Sequence, residues 1–458
     1  MTQQLHLFDS PKGDLEYNSS QEIVFRIVNE FPFRQQIEFG ELLGVSLGSN
    51  TSSFTHGLHR FPAKFIPQVP RWAIHQLREP WPVVLDPFMG SGTSVVEGML
   101  CECTILGTEI DRLATLIAAA KTQKYDVARL RDIGAKICGR QGQKPGALIL
   151  PMADVKNVEH WFSARAFSDL CLIFETIEMI PCTVEERNFF ACVFSSIVRQ
   201  VSNADDQTQK TYVSHTLRKE PPKVWHTFKK QLSRALQRVN EFALVRRGKG
   251  FVLQGSATTL PLEDKTVDLI ITSPPYVDSV DYMYNLMLEY FWLGPSFGVH
   301  DRRQFNSLRR APIGAKNPHS EKELPQSIRP FVDLSTIPDY RQKAISSYFA
   351  LMEAHFSEAA RVLKDEGRYV LVIGNSATIA DTLRVHDCLI KLAGQFGLQL
   401  EHAFGYRIRR HYMKFPRKGR GGIILMDWVI TLQKTMRARR FSRLPLPQLR
   451  MGVDEVAH

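Results

Sequence analysis

Val83-Val-Leu-Asp-Pro-Phe-Met-Gly-Ser-Gly-Thr93 runs from an apolar stretch into a glycine-rich turn, and Ser94-Val-Val-Glu-Gly-Met-Leu100 continues with residues suited to a helix. Strand, tight turn and helix in that order predict an α/β fold with a parallel sheet. Gly90 and Gly92 permit positive φ and close approach of backbone to a ligand. They do so at the carboxyl end of a strand, where open α/β sheets bind nucleoside cofactors. The spacing Phe88-x-Gly90-x-Gly92 lacks the third glycine of the dinucleotide fingerprint and the Gly-Lys-Ser/Thr of a phosphate loop, so neither NAD nor ATP is its natural ligand.

Downstream, Cys103-Thr-Ile-Leu-Gly-Thr-Glu-Ile110 reads as a second strand ending in an acid, the place of a ribose-binding carboxylate in such folds. Glu109 is the expected ribose ligand, with Asp111 its competitor. A third strand, within Asp268-Leu-Ile-Ile-Thr-Ser-Pro-Pro-Tyr276, runs straight into two prolines. Proline fixes φ and has no N–H, so the Ser273 hydroxyl and the Pro274 carbonyl become rigid acceptors, with Pro275 stiffening the turn and Tyr276 adding an aromatic face. An exocyclic amine could donate to both acceptors while its ring stacks on the tyrosine, as enzymes acting on an extruded base require. On this reading Tyr276→Phe, which keeps the ring face, should retain much of the turnover.

With these motifs the chain resembles the amino-group DNA methyltransferases, which move a methyl group from S-adenosyl-L-methionine to cytosine N4 or adenine N6. Asp86-Pro-Phe-Met-Gly-Ser-Gly-Thr93 is similar to their cofactor loop, Thr272-Ser-Pro-Pro-Tyr276 to their catalytic motif, and His59-Arg-Phe-Pro-Ala-Lys-Phe65 to the upstream segment covering the methionine end of the cofactor. The resemblance implies a Rossmann-like, doubly wound methyltransferase sheet interrupted by a mainly helical insertion. It places Asp86, Phe88, Gly90, Gly92, Thr93 and Glu109 at the cofactor, with His59, Phe61, Pro62 and Lys64 near its methionine portion, and Asp86 as an organiser of the loop. Ser256, where many relatives carry an acid, falls beside the adenine. Ser273 at the head of the tetrapeptide implies cytosine N4, since an acid or amide usually opens it in adenine enzymes. Double-stranded DNA and a cognate restriction endonuclease are the partners such an enzyme would have, and no metal is needed.

The helical spacing of Phe189, Phe190, Val193, Phe194 and Ile197, and of similar apolar positions before it, marks 126–249 as the insertion. It divides a cofactor-binding half, 55–125, from a catalytic half, 250–435. Residues 1–54 read as an arm or loop and 436–458 as a basic tail. Target recognition falls either in the insertion around Gln200 to Lys230 or in the 295–340 loop.

A formal charge of +11, from 58 Lys and Arg against 47 Asp and Glu in 458 residues, favours a polyanionic partner. Arg309, Arg310, Arg409, Arg410 and Lys414 lie in basic clusters suited to phosphate contacts. Seven cysteines, an odd number without framework spacing, imply reduced thiols and a cytoplasmic location. Pro181-Cys182 resembles the nucleophile of cytosine-C5 methyltransferases, but the supporting motifs are absent and transfer to an amine needs no covalent step. Neither a signal peptide nor an apolar membrane span is legible. An RNA base methyltransferase and a non-catalytic nucleic-acid-binding module are the alternatives.

Overall fold

A computed structural model of the chain describes residues 25–435, except 29, 46–50, 63, 65, 78–79, 147–151, 153–156, 207–209, 215–218, 278–280, 320, 375–382 and 408–425. Among the described residues nine strands form one sheet: β1 (Arg26–Val28), β2 (Leu42–Val45), β3 (Val83–Asp86), β4 (Thr104–Glu109), β5 (Lys249–Gln254), β6 (Val267–Thr272), β7 (Leu363–Gly374), β8 (Leu398–Arg407) and β9 (Met426–Lys434). Their order is β1-β2-β8-β9-β7-β6-β3-β4-β5. All neighbours are parallel except β9, which runs antiparallel to both β7 and β8.

The central strands carry apolar residues toward both faces of the sheet because both faces are covered. Along β6, Leu269 and Ile271 join one core with Val95 and Val96, whereas Ile270 joins another with Tyr348, Met352 and Leu389. Helices α1 (Gln68–His75), α2 (Thr93–Leu100) and α3 (Arg112–Thr122) contribute to the first face. Two long or apolar helices further down the chain, Asp339–Val362 and Val385–Gly394, cover the second. This is the doubly wound α/β arrangement expected from the strand–turn–helix reading.

Between β4 and β5 the elements described beyond α3 are all helices: α4 (Val127–Gly139), α5 (Val158–Trp161), α6 (Ala164–Met179), α7 (Val184–Val198) and α8 (Val224–Val245). Local signals set these limits. Thr183 and Glu186 form a reciprocal capping box at the start of α7, satisfying two otherwise orphaned amides. The helices share one core with Leu113 and Ile117 of α3 and with Trp292, and so pack onto the sheet domain as a continuous layer.

The N-terminal segment departs from the expected arm or loop. Arg26–Val28 and Leu42–Val45 are strands that extend the sheet edge, β2 pairing with Gly405 and Tyr406 of β8. Three- and four-residue runs carry too little periodicity to be recognised, and β2, on which β1 pairs, joins the sheet through a partner more than 350 positions away in the chain.

After β3 the chain goes outward to β4 and β5 on one side, then returns to place β6 on the other side of β3. The order therefore reverses between β3 and β6. At such a switch point the loops leaving adjacent carboxyl ends diverge and open a crevice for ligand.

Candidate active site

Both signature segments emerge at this crevice. Val84 pairs with Leu269 and Leu85 with Ile270, so the turn after Asp86 and the turn after Thr272 start side by side. Asp86 joins them. Its carboxylate, fully buried, accepts from Thr272 Oγ1 at 2.6 Å, from the Phe88 amide at 3.0 Å, and from Ser94 Oγ in the first turn of α2. Burial outweighs these hydrogen bonds and pushes its pKa up to about 6. With its oxygens so engaged, Asp86 organises two loops.

Gly90 and Gly92 both have positive φ, +51° and +79°. They are glycine for different reasons. A Cβ on Gly92 would lie 2.9 Å from Ala118 Cβ on α3, so that glycine lets two helices meet. A Cβ on Gly90 would meet only Phe61 Cε1, at 3.6 Å. The same contact places the Phe61 ring beside the glycine turn. The Thr93 hydroxyl, at the start of α2, is buried and has no hydrogen-bond partner.

Glu109 ends β4 and turns back to this loop. One carboxylate oxygen accepts from the Gly90 amide at 2.9 Å; the other accepts from the Ile110 and Asp111 amides, each at 2.9 Å. Burial and the adjacent Asp111 raise its pKa to about 7. Asp111 is spoken for in a different way. It caps α3, accepting from Leu113 and Ala114 amides, and receives the Tyr290 hydroxyl at 2.7 Å. Of the two competitors, only Glu109 is half-exposed at the strand end.

The 255–257 turn reaches the same place through a residue that sequence patterns did not single out. Gly255 N donates to Glu109 O at 3.0 Å. His355, fully buried, donates from Nδ1 to Ala257 O at 2.9 Å, accepts the Tyr369 hydroxyl at Nε2, and packs edge-on against Phe88 at 4.8 Å. Burial lowers its pKa to about 4, so it is a neutral strut between two loops. Ser256 Oγ accepts from the Thr258 amide and shares a hydrogen bond with Thr258 Oγ1.

The upstream segment is divided in orientation. His59 is 3% exposed and turned inward, donating to Arg60 O at 2.8 Å and accepting from Ser195 Oγ at 2.6 Å. Burial and nearby Lys121 lower its pKa to about 3, so a neutral ring ties this segment to α7. Pro62 and Lys64 are half-buried, and Lys64 Nζ donates to His56 O at 3.2 Å. Lys121, also not singled out beforehand, is fully buried on α3 and donates to Ser91 O at 2.7 Å, bracing the glycine turn from below.

At the other wall, Ser273 and Pro275 are half-buried, Pro274 is buried, and Tyr276 is half-buried with its hydroxyl donating to Asp427 at 2.9 Å. Arg309 is held internally by Asp281 at 2.6 and 2.8 Å, and lies over the Tyr284 ring at 4.9 Å. Arg310 remains on the surface, donating to Asn317 O and Pro318 O. Arg409, Arg410 and Lys414 lie outside the described residues. Burial raises the Cys182 pKa, which disfavours a thiolate there. Among the described residues no cluster of His, Cys, Asp or Glu could hold a metal ion, and no helix is long and apolar enough to cross a membrane.

No family model matches the chain. Its likeness to solved structures is loose and includes the YcgJ protein of Bacillus subtilis, 8% identical with a TM-score of 0.30, covering 81% of this chain and 98% of that one. Sequence relatives are more informative. The chain is 26% identical over 413 residues to the type II methyltransferase M.MvaI of Kocuria varians, covering 81% of this chain and 86% of the relative. It is 32% identical over 111 residues to the type II methyltransferase M.MjaII of Methanocaldococcus jannaschii, covering 22% and 21%. The chain is homologous to the type II methyltransferases.

Proposed function

We propose that the chain is a site-specific DNA methyltransferase that transfers a methyl group from S-adenosyl-L-methionine to the exocyclic N4 of an extruded cytosine, in a restriction-modification or related setting. The observation carrying this reading is the Asp86–Thr272 hydrogen bond, which brings the glycine turn and the Ser-Pro-Pro-Tyr turn together at the switch point.

The residues at the glycine turn fit the cofactor. Thr93 offers a buried hydroxyl without a protein partner, Gly90 leaves open backbone beside an aromatic ring, and Glu109 presents a carboxylate fixed by three amides. Glu109 would accept from ribose hydroxyls, Phe61 and Phe88 would flank the ligand, and the 255–257 turn would border its base. When bound, S-adenosyl-L-methionine supplies an electrophilic methyl on a sulfonium sulfur.

The chain's own residues then act on the amine. Tyr276 stacks on the extruded base. Ser273 Oγ and the Pro274 carbonyl accept hydrogen bonds from the amino group, drawing its lone pair out of conjugation with the ring and stabilising positive charge as the N–C bond forms and the C–S pair returns to sulfur. The surplus amine proton leaves to water. Asp86, enclosed by its three donors, takes no part in that transfer.

Double-stranded DNA is the substrate favoured by the homology to type II methyltransferases and by the excess of basic residues. Incubation with radiolabelled S-adenosyl-L-methionine and either duplex DNA or RNA tests this directly. Label should enter DNA; incorporation into RNA alone would overturn the substrate assignment, and incorporation into neither would overturn the methyl-transfer reading.

A further inference from the structure

Tyr276 at the end of the Ser-Pro-Pro-Tyr turn and Tyr406 on β8 share one acceptor. The Tyr276 hydroxyl donates to Asp427 Oδ1 at 2.9 Å and the Tyr406 hydroxyl to Oδ2 at 3.1 Å. Asp427 is 5% exposed and Tyr406 2%. Asp427 stands opposite Gly374 of β7 on one side and Tyr406 on the other, at the carboxyl end of β7. β6, from which the catalytic turn departs, is the other neighbour of β7. The far end of the clamp is held too: the Tyr406 ring packs edge-on against Phe31 at 5.6 Å.

Burying a carboxylate is unfavourable, and apolar residues of similar volume would close this corner without that penalty. What the aspartate adds is direction. A tyrosine hydroxyl lies on the long axis of its ring, so an acceptor fixed by the sheet determines where that axis points. The phenol O–H prefers the ring plane, so the same acceptor biases rotation about the axis as well. We propose that Asp427 is a positioning residue that clamps Tyr276 as a pre-oriented stacking platform for the extruded base, with Tyr406 holding the clamp at its other end. This rests on the base-stacking role given to Tyr276 above.

The clamp changes the expected behaviour of Tyr276→Phe. The ring face survives, but its orientation is no longer fixed, and Asp427 keeps one donor in place of two.

Turnover on duplex DNA, KM for DNA and calorimetric affinity for S-adenosyl-L-methionine should be measured for wild type, Tyr276→Phe, Asp427→Asn and the double variant. Each single variant should lower kcat roughly tenfold, the effect of one hydrogen bond to a charged group, with cofactor affinity unchanged. The double variant should lose no more than the more damaging single one, because both act on the same contact, one by removing the donor and the other by neutralising the acceptor. Multiplying losses, cofactor affinity falling in step with kcat, or wild-type kcat in Tyr276→Phe would each overturn the proposal. The last of these decides even where Asp427→Asn fails to fold. A wild type that methylates no nucleic acid would overturn the methyl-transfer reading instead. The clamp would then be judged by the same double-mutant cycle in urea unfolding, where absence of coupling between positions 276 and 427 rejects it.

Discussion

Thr272 Oγ1 donates to Asp86 Oδ1 at 2.6 Å across the boundary between β6 and β3, joining two loops whose sequences lie 186 positions apart. The acceptor has a pKa of about 6, raised by burial from the ordinary carboxylate value of 3.8. A folded pKa above the unfolded one means that the native state binds the proton more tightly. The associated stability is present below pH 4 and is lost as pH rises through 6. For a fully buried group the shift corresponds to on the order of 3 kcal/mol. Urea unfolding of wild type and Asp86→Asn across pH 4 to 7 checks this. The stability of wild type relative to Asp86→Asn should fall over that window, and a rising difference would contradict the assignment.

The two glycines of the turn should separate fold from ligand. Gly92→Ala drives a methyl group into Ala118 on α3 and should destabilise the protein by about 2 to 4 kcal/mol, combining overpacking with left-handed backbone strain. Gly90→Ala meets no close neighbour and should cost only the strain, about 1 to 2 kcal/mol. Thermal unfolding and cofactor calorimetry on both variants should show a folded Gly90→Ala with weakened binding. Normal cofactor affinity in that variant would show that the Gly90 backbone does not face the ligand.

Thr93→Val should leave the unliganded protein as stable as wild type or slightly more so, because the hydroxyl it removes is buried without a partner. Its affinity for S-adenosyl-L-methionine should fall roughly tenfold, the value of one hydrogen bond made only in the complex. Unfolding and calorimetry on the same preparation would show the two effects moving in opposite directions. Unchanged affinity would remove Thr93 from the site.

Arg309 and Arg310 are adjacent and should behave differently. Arg309 pairs with Asp281 and covers Tyr284, so Arg309→Gln should lower stability. Arg310 is exposed and held by carbonyls alone, so Arg310→Gln should leave stability unchanged and reduce the salt slope of DNA binding by about one. Binding isotherms at several salt concentrations give the slope. An unaltered slope for Arg310→Gln would place the phosphate contacts on other residues.

The glycine turn, the Ser-Pro-Pro-Tyr turn and Glu109 were legible in the sequence because their properties are local: positive φ, missing amides and an acid at a strand end. His355, Lys121 and Asp427 were not. Each has meaning only through the sheet or a helix crossing that brings it to a loop distant in the chain, His355 to Ala257, Lys121 to Ser91 and Asp427 to Tyr276. No spacing rule encodes those contacts. His59 shows the converse: its place in a motif suggested the ligand, whereas its geometry ties it to Ser195. Gly92 is likewise explained by Ala118 on a neighbouring helix, which the turn sequence alone does not reveal.

The central claim is methyl transfer to cytosine N4, and the methylated nucleoside is its most direct witness. Duplex DNA treated with the protein and S-adenosyl-L-methionine should be digested to nucleosides and analysed by mass spectrometry against untreated DNA. N4-methylcytosine is the expected product; N6-methyladenine as the sole product would contradict the cytosine assignment resting on Ser273, and unmodified DNA would contradict the account as a whole.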